Sequence, residues 1–186
     1  MDCGKINIII GCMFSGKSTE IIRLIKRYSQ INKYKLLLIN HKSDSRYGNN
    51  VISSHDKVQL DCHSLEQLND IKEKNIYKSS NVIFIEEGQF FKDLFQFVTE
   101  AADNDNKIVY VAGLDGDYKR NEFGDICKLI PHAEEIVKLK AICSKCNDGT
   151  EANFTKRIID NCSIELVGSK ESYIPVCRKH YNEKNK

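Results

Sequence analysis

Apolar positions along this chain fall into two alternating patterns. Short, nearly unbroken runs at residues 6–10, 34–40, 81–86 and 107–113 have strand length and read as strands covered on both faces, as in a parallel sheet. After the first run, Ile21, Ile22, Leu24, Ile25 and Tyr28 recur at helical spacing, with Glu20, Arg23, Lys26 and Arg27 on the opposite side, which predicts a helix over 18–31. Leu94, Phe95, Phe97 and Val98 predict a second amphipathic helix over 92–103. The string SLEQ at 64–67 matches a capping box and predicts a short helix through residue 74, while the polar stretch 43–50 reads as a loop. Strands separated by helices imply right-handed crossovers, hence an α/β fold with a parallel sheet flanked by helices.

Composition bounds this picture more than it changes it. A chain of 186 residues with 41% apolar content builds one conventional core with room for a small appendage. Twenty-eight basic residues against 26 acidic ones give a net charge of +2 with no long block of one sign, which argues against nucleic acid or membrane as the main partner. The N-terminus has no basic leader, and the run at 6–10 is too short for a signal core or a membrane span, so a soluble, cytoplasmic protein is expected. Eight cysteines in a reducing compartment point to metal ligation for some and buried thiols for the rest.

Three stretches carry chemistry. The octapeptide GCMFSGKS at 11–18 fits G-x-x-x-x-G-K-[ST] and lies between a predicted strand and a predicted helix. A loop of this kind turns backbone N–H groups around phosphate oxygens at the positive end of a helix, where Lys17 reaches the β- and γ-phosphates and Ser18 offers its hydroxyl to Mg²⁺. The strand at 82–85 runs into two adjacent carboxylates, Glu86 and Glu87. In a parallel sheet the strand's carboxyl end faces the ligand crevice, so Glu86 is the candidate for Mg²⁺ and Glu87 for a general base acting on an acceptor hydroxyl. Finally, Cys143 and Cys146 are followed after thirty residues by Cys177 and His180. Two such knuckles supply four N/S ligands for a closed, structural zinc site that pins the base of a loop too poor in apolar residues to form its own core. The expected division is an ATP-binding domain over 1–140 and a zinc-binding domain over 141–186. His55, His63 and His132 lack a partner pattern and read as ordinary surface or core residues; Cys3, Cys12, Cys62, Cys127 and Cys162 read as small apolar ones.

Together with MFSGKSTE (13–20), DSRY (44–47), EGQFF (87–91), GLDG (113–116), FG (123–124), VKLKAIC (137–143), TKR (155–157) and YIPVC (173–177), these stretches resemble the zinc-containing, lasso-loop thymidine kinases of the cytosolic type over essentially the whole chain. The resemblance implies transfer of the γ-phosphate of ATP to the 5′-hydroxyl of thymidine, with deoxyuridine as a second acceptor. It implies ATP contacts from Gly11, Cys12, Met13, Phe14, Ser15, Gly16, Lys17, Ser18, Asp44, Ser45, Arg46, Glu86, Glu87, Gly88 and Gln89, with Glu87 as proton acceptor and Arg46 stabilising charge on the transferring group. Met13, Phe90, Leu114, Tyr118 and Phe123 match positions around the thymine ring, and Tyr173 with Ile164, Glu165, Leu166, Val167 and Gly168 matches the lasso that closes over it. ATP, Mg²⁺ and structural Zn²⁺ follow, as do a homotetramer and inhibition by thymidine triphosphate. Glu86 stands where aspartate is usual, Cys12 where proline is common and His180 where some members have a fourth cysteine; six residues follow His180, so a long regulatory tail is not expected.

Three other readings compete. A GTPase switch needs an N-K-x-D signature, and NHKSD at 40–44 carries an extra residue. A zinc-ribbon nucleic-acid binder leaves Lys17, Glu86 and Glu87 idle and lacks a basic face. A kinase of another small nucleoside or nucleotide acceptor keeps every motif and differs only in what receives the phosphate.

Overall fold

The four apolar runs lie side by side in one sheet. The chain's structure, a computed structural model, describes residues 3–44, 50–53, 58–159 and 172–183. In chain order it begins with β1 (Lys5–Gly11), α1 (Lys17–Ser29), β2 (Leu36–His41), β3 (Val51–Ser53), β4 (Gln59–Asp61) and β5 (His63–Leu65). A 3₁₀ turn (Leu68–Ile71), α2 (Asn75–Ser79), β6 (Val82–Ile85), a second 3₁₀ turn (Gly88–Phe90), α3 (Leu94–Asp103) and β7 (Ile108–Gly113) follow. A third 3₁₀ segment (Ile126–His132) precedes β8 (Glu135–Leu139), β9 (Ala141–Ile142), β10 (Glu151–Ala152), β11 (Phe154–Arg157), β12 (Tyr173–Val176) and α4 (Arg178–Asn182).

Among the described residues the main sheet has six strands in the order β5-β2-β6-β7-β1-β8, all parallel. The expected α/β class is therefore the one observed. Strand alternation sorts the core into two layers. Ile8, Ile10, Ile83, Ile85, Val109 and Val111 pack with Leu94, Phe97, Val98 and Ala101 of α3, whereas Ile9, Val82, Phe84, Tyr110 and Ala112 meet Ile21, Ile22, Leu24 and Ile25 of α1. Both faces being covered is what made these strands readable as continuous apolar runs. A third, smaller apolar cluster joins Cys12 to Ala141, Cys143, Ala152 and Val176, with Phe14, Phe154 and Tyr181 at its margin.

The sequence reading missed elements where burial is one-sided or the strand is short. β8 at the sheet edge has exposed or half-buried side chains throughout, and β5 is three residues long. The short hairpins β3/β4, β9/β10 and β11/β12 were also unforeseen. One expectation is corrected. SLEQ at 64–67 does not cap a helix running to residue 74: Ser64 and Leu65 belong to β5, the 3₁₀ turn starts at Leu68, and α2 begins at Asn75. The orphan N–H groups of Leu68 and Asn69 donate instead to the two carboxylate oxygens of Asp93, at 3.1 and 2.9 Å. A residue 24–25 positions downstream thus does what the local string was expected to do.

Replacing Asp93 by alanine leaves those two donors without their partner. The expected cost is about 1–2 kcal/mol, read as a lowered urea midpoint with unchanged denaturant slope; an unaltered midpoint would show that the cap contributes nothing.

Candidate active site

Glycine sets the shape of the loop between β1 and α1. Gly16 precedes the helix with φ 89°, a left-handed conformation, and Gly11 has φ 150° with so little room that a Cβ there would sit 2.4 Å from the Leu139 carbonyl oxygen. Phe14 holds φ 66° despite its side chain, and that side chain joins the apolar cluster around Cys143. The loop is also tied laterally: Met13 N–H donates to Thr155 Oγ1 at 3.0 Å, and the Cys12 thiol points to the Ala152 carbonyl at 3.4 Å. The Cys12 side chain thus fastens the loop to β10.

Lys17 folds back over this loop, donating to the carbonyls of Gly11 at 3.2 Å and Cys12 at 2.9 Å. Burial lowers its pKa, opposed by the charges of Glu87 and Glu86. Ser18, at the start of α1, donates its hydroxyl to Glu86 Oε1 at the end of β6. Glu86 is 4% exposed, and its other oxygen, Oε2, has no hydrogen-bond partner among the described residues; Ser15 Oγ is a second buried orphan. Burial, reinforced by the neighbouring Glu87 charge and opposed by Ser18 and Lys17, pushes the Glu86 carboxyl up to about 7. A buried carboxylate oxygen and a hydroxyl lacking partners beside a lysine form a donor set that suits a hard divalent cation and an anion together.

Glu87 follows in the left-handed region at φ 55°, ψ 39°, half-exposed. The side chain of Gln89 is 3% exposed and donates to Glu87 Oε2 at 2.6 Å while accepting the Leu114 N–H at 3.0 Å. Gly88 is buried against Val111. Asp44 accepts from the Asn40 amide at 3.2 Å, and its charge acts on Glu86.

The predicted ring-binding residues form two groups. Phe90 and Phe123 meet edge to face at 5.4 Å, with His41 on the other side of Phe90 at 5.5 Å, and Leu114 is tethered through Gln89. Tyr118 and Tyr173 flank the buried guanidinium of Arg157, which lies 3.9 Å from the first ring and 5.0 Å from the second and donates to the Tyr173 hydroxyl. The sequence reading quoted Arg157 only as part of a string and missed His41 altogether. Their partners are distant in sequence, and spacing gives no sign of them. Ser45, Arg46, Ile164, Glu165, Leu166, Val167 and Gly168, all named above, lie outside the described residues, as do His55 and Cys162.

Cys143, Cys146, Cys177 and His180 converge, with one ligand atom from each within 4.8 Å of the others. Tetrahedral zinc with Zn–S of about 2.3 Å and Zn–N of about 2.0 Å would give edges of about 3.8 Å between sulfurs and about 3.5 Å from sulfur to nitrogen. The Sγ atoms of Cys146 and Cys177 stand 3.8 Å apart, and His180 Nδ1 lies 3.4, 3.3 and 3.4 Å from Cys143, Cys146 and Cys177. The Cys177 N–H points at Cys143 Sγ at 3.3 Å; burial resists ionisation of Cys143, but this and other backbone donors bring its thiol down to about 6. Lys156 secures the far end of α4, donating to the carbonyls of His180 at 2.9 Å and Glu183 at 2.5 Å. The four residues thus fit one tetrahedral metal ion.

The family model for thymidine kinases matches residues 4–181. A thymidine kinase of sheeppox virus (strain KS-1) is 47% identical over 97% of this chain and 98% of its own length. That of vaccinia virus (strain Western Reserve) is 45% identical over 97% of the chain and 98% of its own. A thymidine kinase from rice (Oryza sativa subsp. japonica) is 42% identical over 96% of the chain and 66% of its own length.

Glu86 carries a testable pH dependence. Its carboxyl binds a proton more tightly in the folded chain than at the ordinary 4.5, so its favourable share of stability is complete below that value and is lost as pH rises through about 7. Glu86→Gln should therefore stabilise the ligand-free protein by about 1–3 kcal/mol at pH 8 and by much less near pH 5. Urea unfolding at the two pH values checks it, and equal effects at both would remove the titration argument.

Proposed function

The chain belongs to the thymidine kinase family and phosphorylates thymidine at the expense of ATP, and from that premise we propose how its residues divide the work. The supporting observation is the meeting of Lys17, Ser18 and Glu86 at the carboxyl ends of β1 and β6, with the Glu87 charge acting on both Lys17 and Glu86 and Phe90 of the Phe90–Phe123 pair following in the next turn. In a parallel sheet this is where a ligand binds. The backbone of 11–18 cradles the phosphates at the start of α1, and Lys17 exchanges its loop carbonyls for phosphate oxygens. Ser18 and Glu86 hold Mg²⁺, which neutralises charge on the polyphosphate when bound. Asp44, Ser45, Gly88 and Gln89 complete the nucleotide side, and Arg46 stabilises charge on the transferring group.

Glu87 accepts the proton of the 5′-hydroxyl as that oxygen attacks the γ-phosphorus, giving thymidine monophosphate and ADP. Met13, Phe90, Leu114, Tyr118 and Phe123 enclose the base. Tyr173 and the backbone of 164–168 close over it and exclude water that would otherwise hydrolyse ATP. Residues 1–140 form the nucleotide-binding domain and 141–186 the lid domain, anchored by zinc on Cys143, Cys146, Cys177 and His180. Deoxyuridine, which keeps the same hydrogen-bonding edge, is a second acceptor. Among the described residues no helix is long and apolar enough to cross a membrane. From the family we take a cytoplasmic homotetramer restrained by thymidine triphosphate.

Incubation with [γ-³²P]ATP and Mg²⁺ against thymidine, deoxyuridine, deoxycytidine and thymidine monophosphate in parallel tests the acceptor. Label in thymidine monophosphate formed from thymidine is the expected result, and label only in other acceptors would move the substrate while leaving the phosphate side intact. Metal analysis of the purified protein should return one zinc per chain, and Cys177→Ser should lose most of it; a metal-free preparation with full activity and unchanged stability would remove the zinc anchor.

A further inference from the structure

Gln89 is a buried polar side chain whose two ends serve different parts of the site. The Leu114 N–H can only donate, so the Gln89 oxygen must face it, which turns the amide NH₂ towards the Glu87 carboxylate. The seat is cut to this side chain. A Cβ on Gly113 would lie 2.4 Å from Gln89 Oε1, and one on Gly124 would lie 2.1 Å from the Gln89 carbonyl oxygen. Those glycines neighbour Leu114 and Phe123 in sequence, so the amide is held by the segments that carry two residues of the acceptor pocket. On its other side stands Glu87, whose backbone is held in the left-handed region at φ 55°, a conformation unfavourable for a residue with a Cβ.

We propose that Gln89 is the positioning residue for the general base. By donating to Glu87 Oε2 at 2.6 Å it fixes the plane of the carboxylate that takes the proton of the acceptor hydroxyl. By accepting from Leu114 it makes the aim of the base follow the wall of the acceptor pocket. Base and pocket are thereby registered to each other through one side-chain amide, which is taken up by Glu87 and Leu114 and leaves the backbone of Gln89 for the nucleotide side. The inference rests on the assignment of Glu87 as base, and its test separates the two.

Gln89→Met keeps length and volume but loses both hydrogen bonds. It should lower kcat at least about 10-fold, a part of the 10²–10⁴ that a positioned base supplies, while KM for ATP stays within about twofold. Combined with Glu87→Gln, the same substitution should change kcat less than about twofold, because a residue acting through a carboxylate has no effect once the carboxylate is gone. If Gln89→Met does not fold, Gln89→Leu, which lacks both donor and acceptor at a similar volume, should show the same kcat loss. Wild-type kcat in the Gln89 variants beside an inactive Glu87→Gln would overturn the positioning role alone. An undiminished further loss in the Glu87→Gln background would overturn it too, marking Gln89 as general packing. Wild-type turnover by Glu87→Gln itself would instead remove the base assignment.

Discussion

The span between β1 and β6 is the constraint on which the site depends. Because β7 lies between them, the two strands that bring the glycine loop and the carboxylates end about 10 Å apart. Ser18 closes that gap from one side and Glu86 from the other, meeting in a hydrogen bond across the end of β7. A glutamate reaches one methylene further than an aspartate would, which suits this crossing. The arrangement also sets the electrostatics. Packed together away from water, Lys17 and Glu86 are both pushed towards neutrality by desolvation, each opposed by the other's charge.

The second structural bond of the site is between the glycine loop and the C-terminal hairpins. Met13 and Cys12 are fastened to Thr155 and Ala152, and Phe14 packs against the cluster of Ala141, Cys143, Ala152 and Val176. Tyr181, one residue past His180, donates to the Tyr118 carbonyl at 2.8 Å, so the Cys/His cluster also steadies the 117–121 loop. Cys/His cluster, glycine loop and the 117–121 loop therefore share one framework, although they are far apart in sequence.

What the sequence disclosed follows from where physical signals are local. Strands β1, β2, β6 and β7 were legible because burial on both faces leaves an apolar run, and α1 and α3 because one face is apolar at helical period. The octapeptide, the paired carboxylates and the C-x-x-C/C-x-x-H spacing were legible because each chemistry demands a fixed local pattern. The edge strand β8 was not, since Ile136 is 43% exposed and its neighbours carry no alternation strong enough to read. Nor were the roles of Asp93, Gln89 and Arg157, whose partners come from elsewhere in the chain. A capping box written in sequence was outcompeted by a carboxylate that only the fold could deliver.

Lys17 adds a consequence of its own. Its ammonium rests on the Gly11 and Cys12 carbonyls, so its donors are already engaged within the loop. On the proposed reading, the phosphates of an incoming nucleotide accept these hydrogen bonds only as the ammonium gives up the two carbonyls. Affinity then measures an exchange of partners, and the enzyme can hold a multiply charged substrate firmly during reaction without making its departure as an equally charged product prohibitively slow.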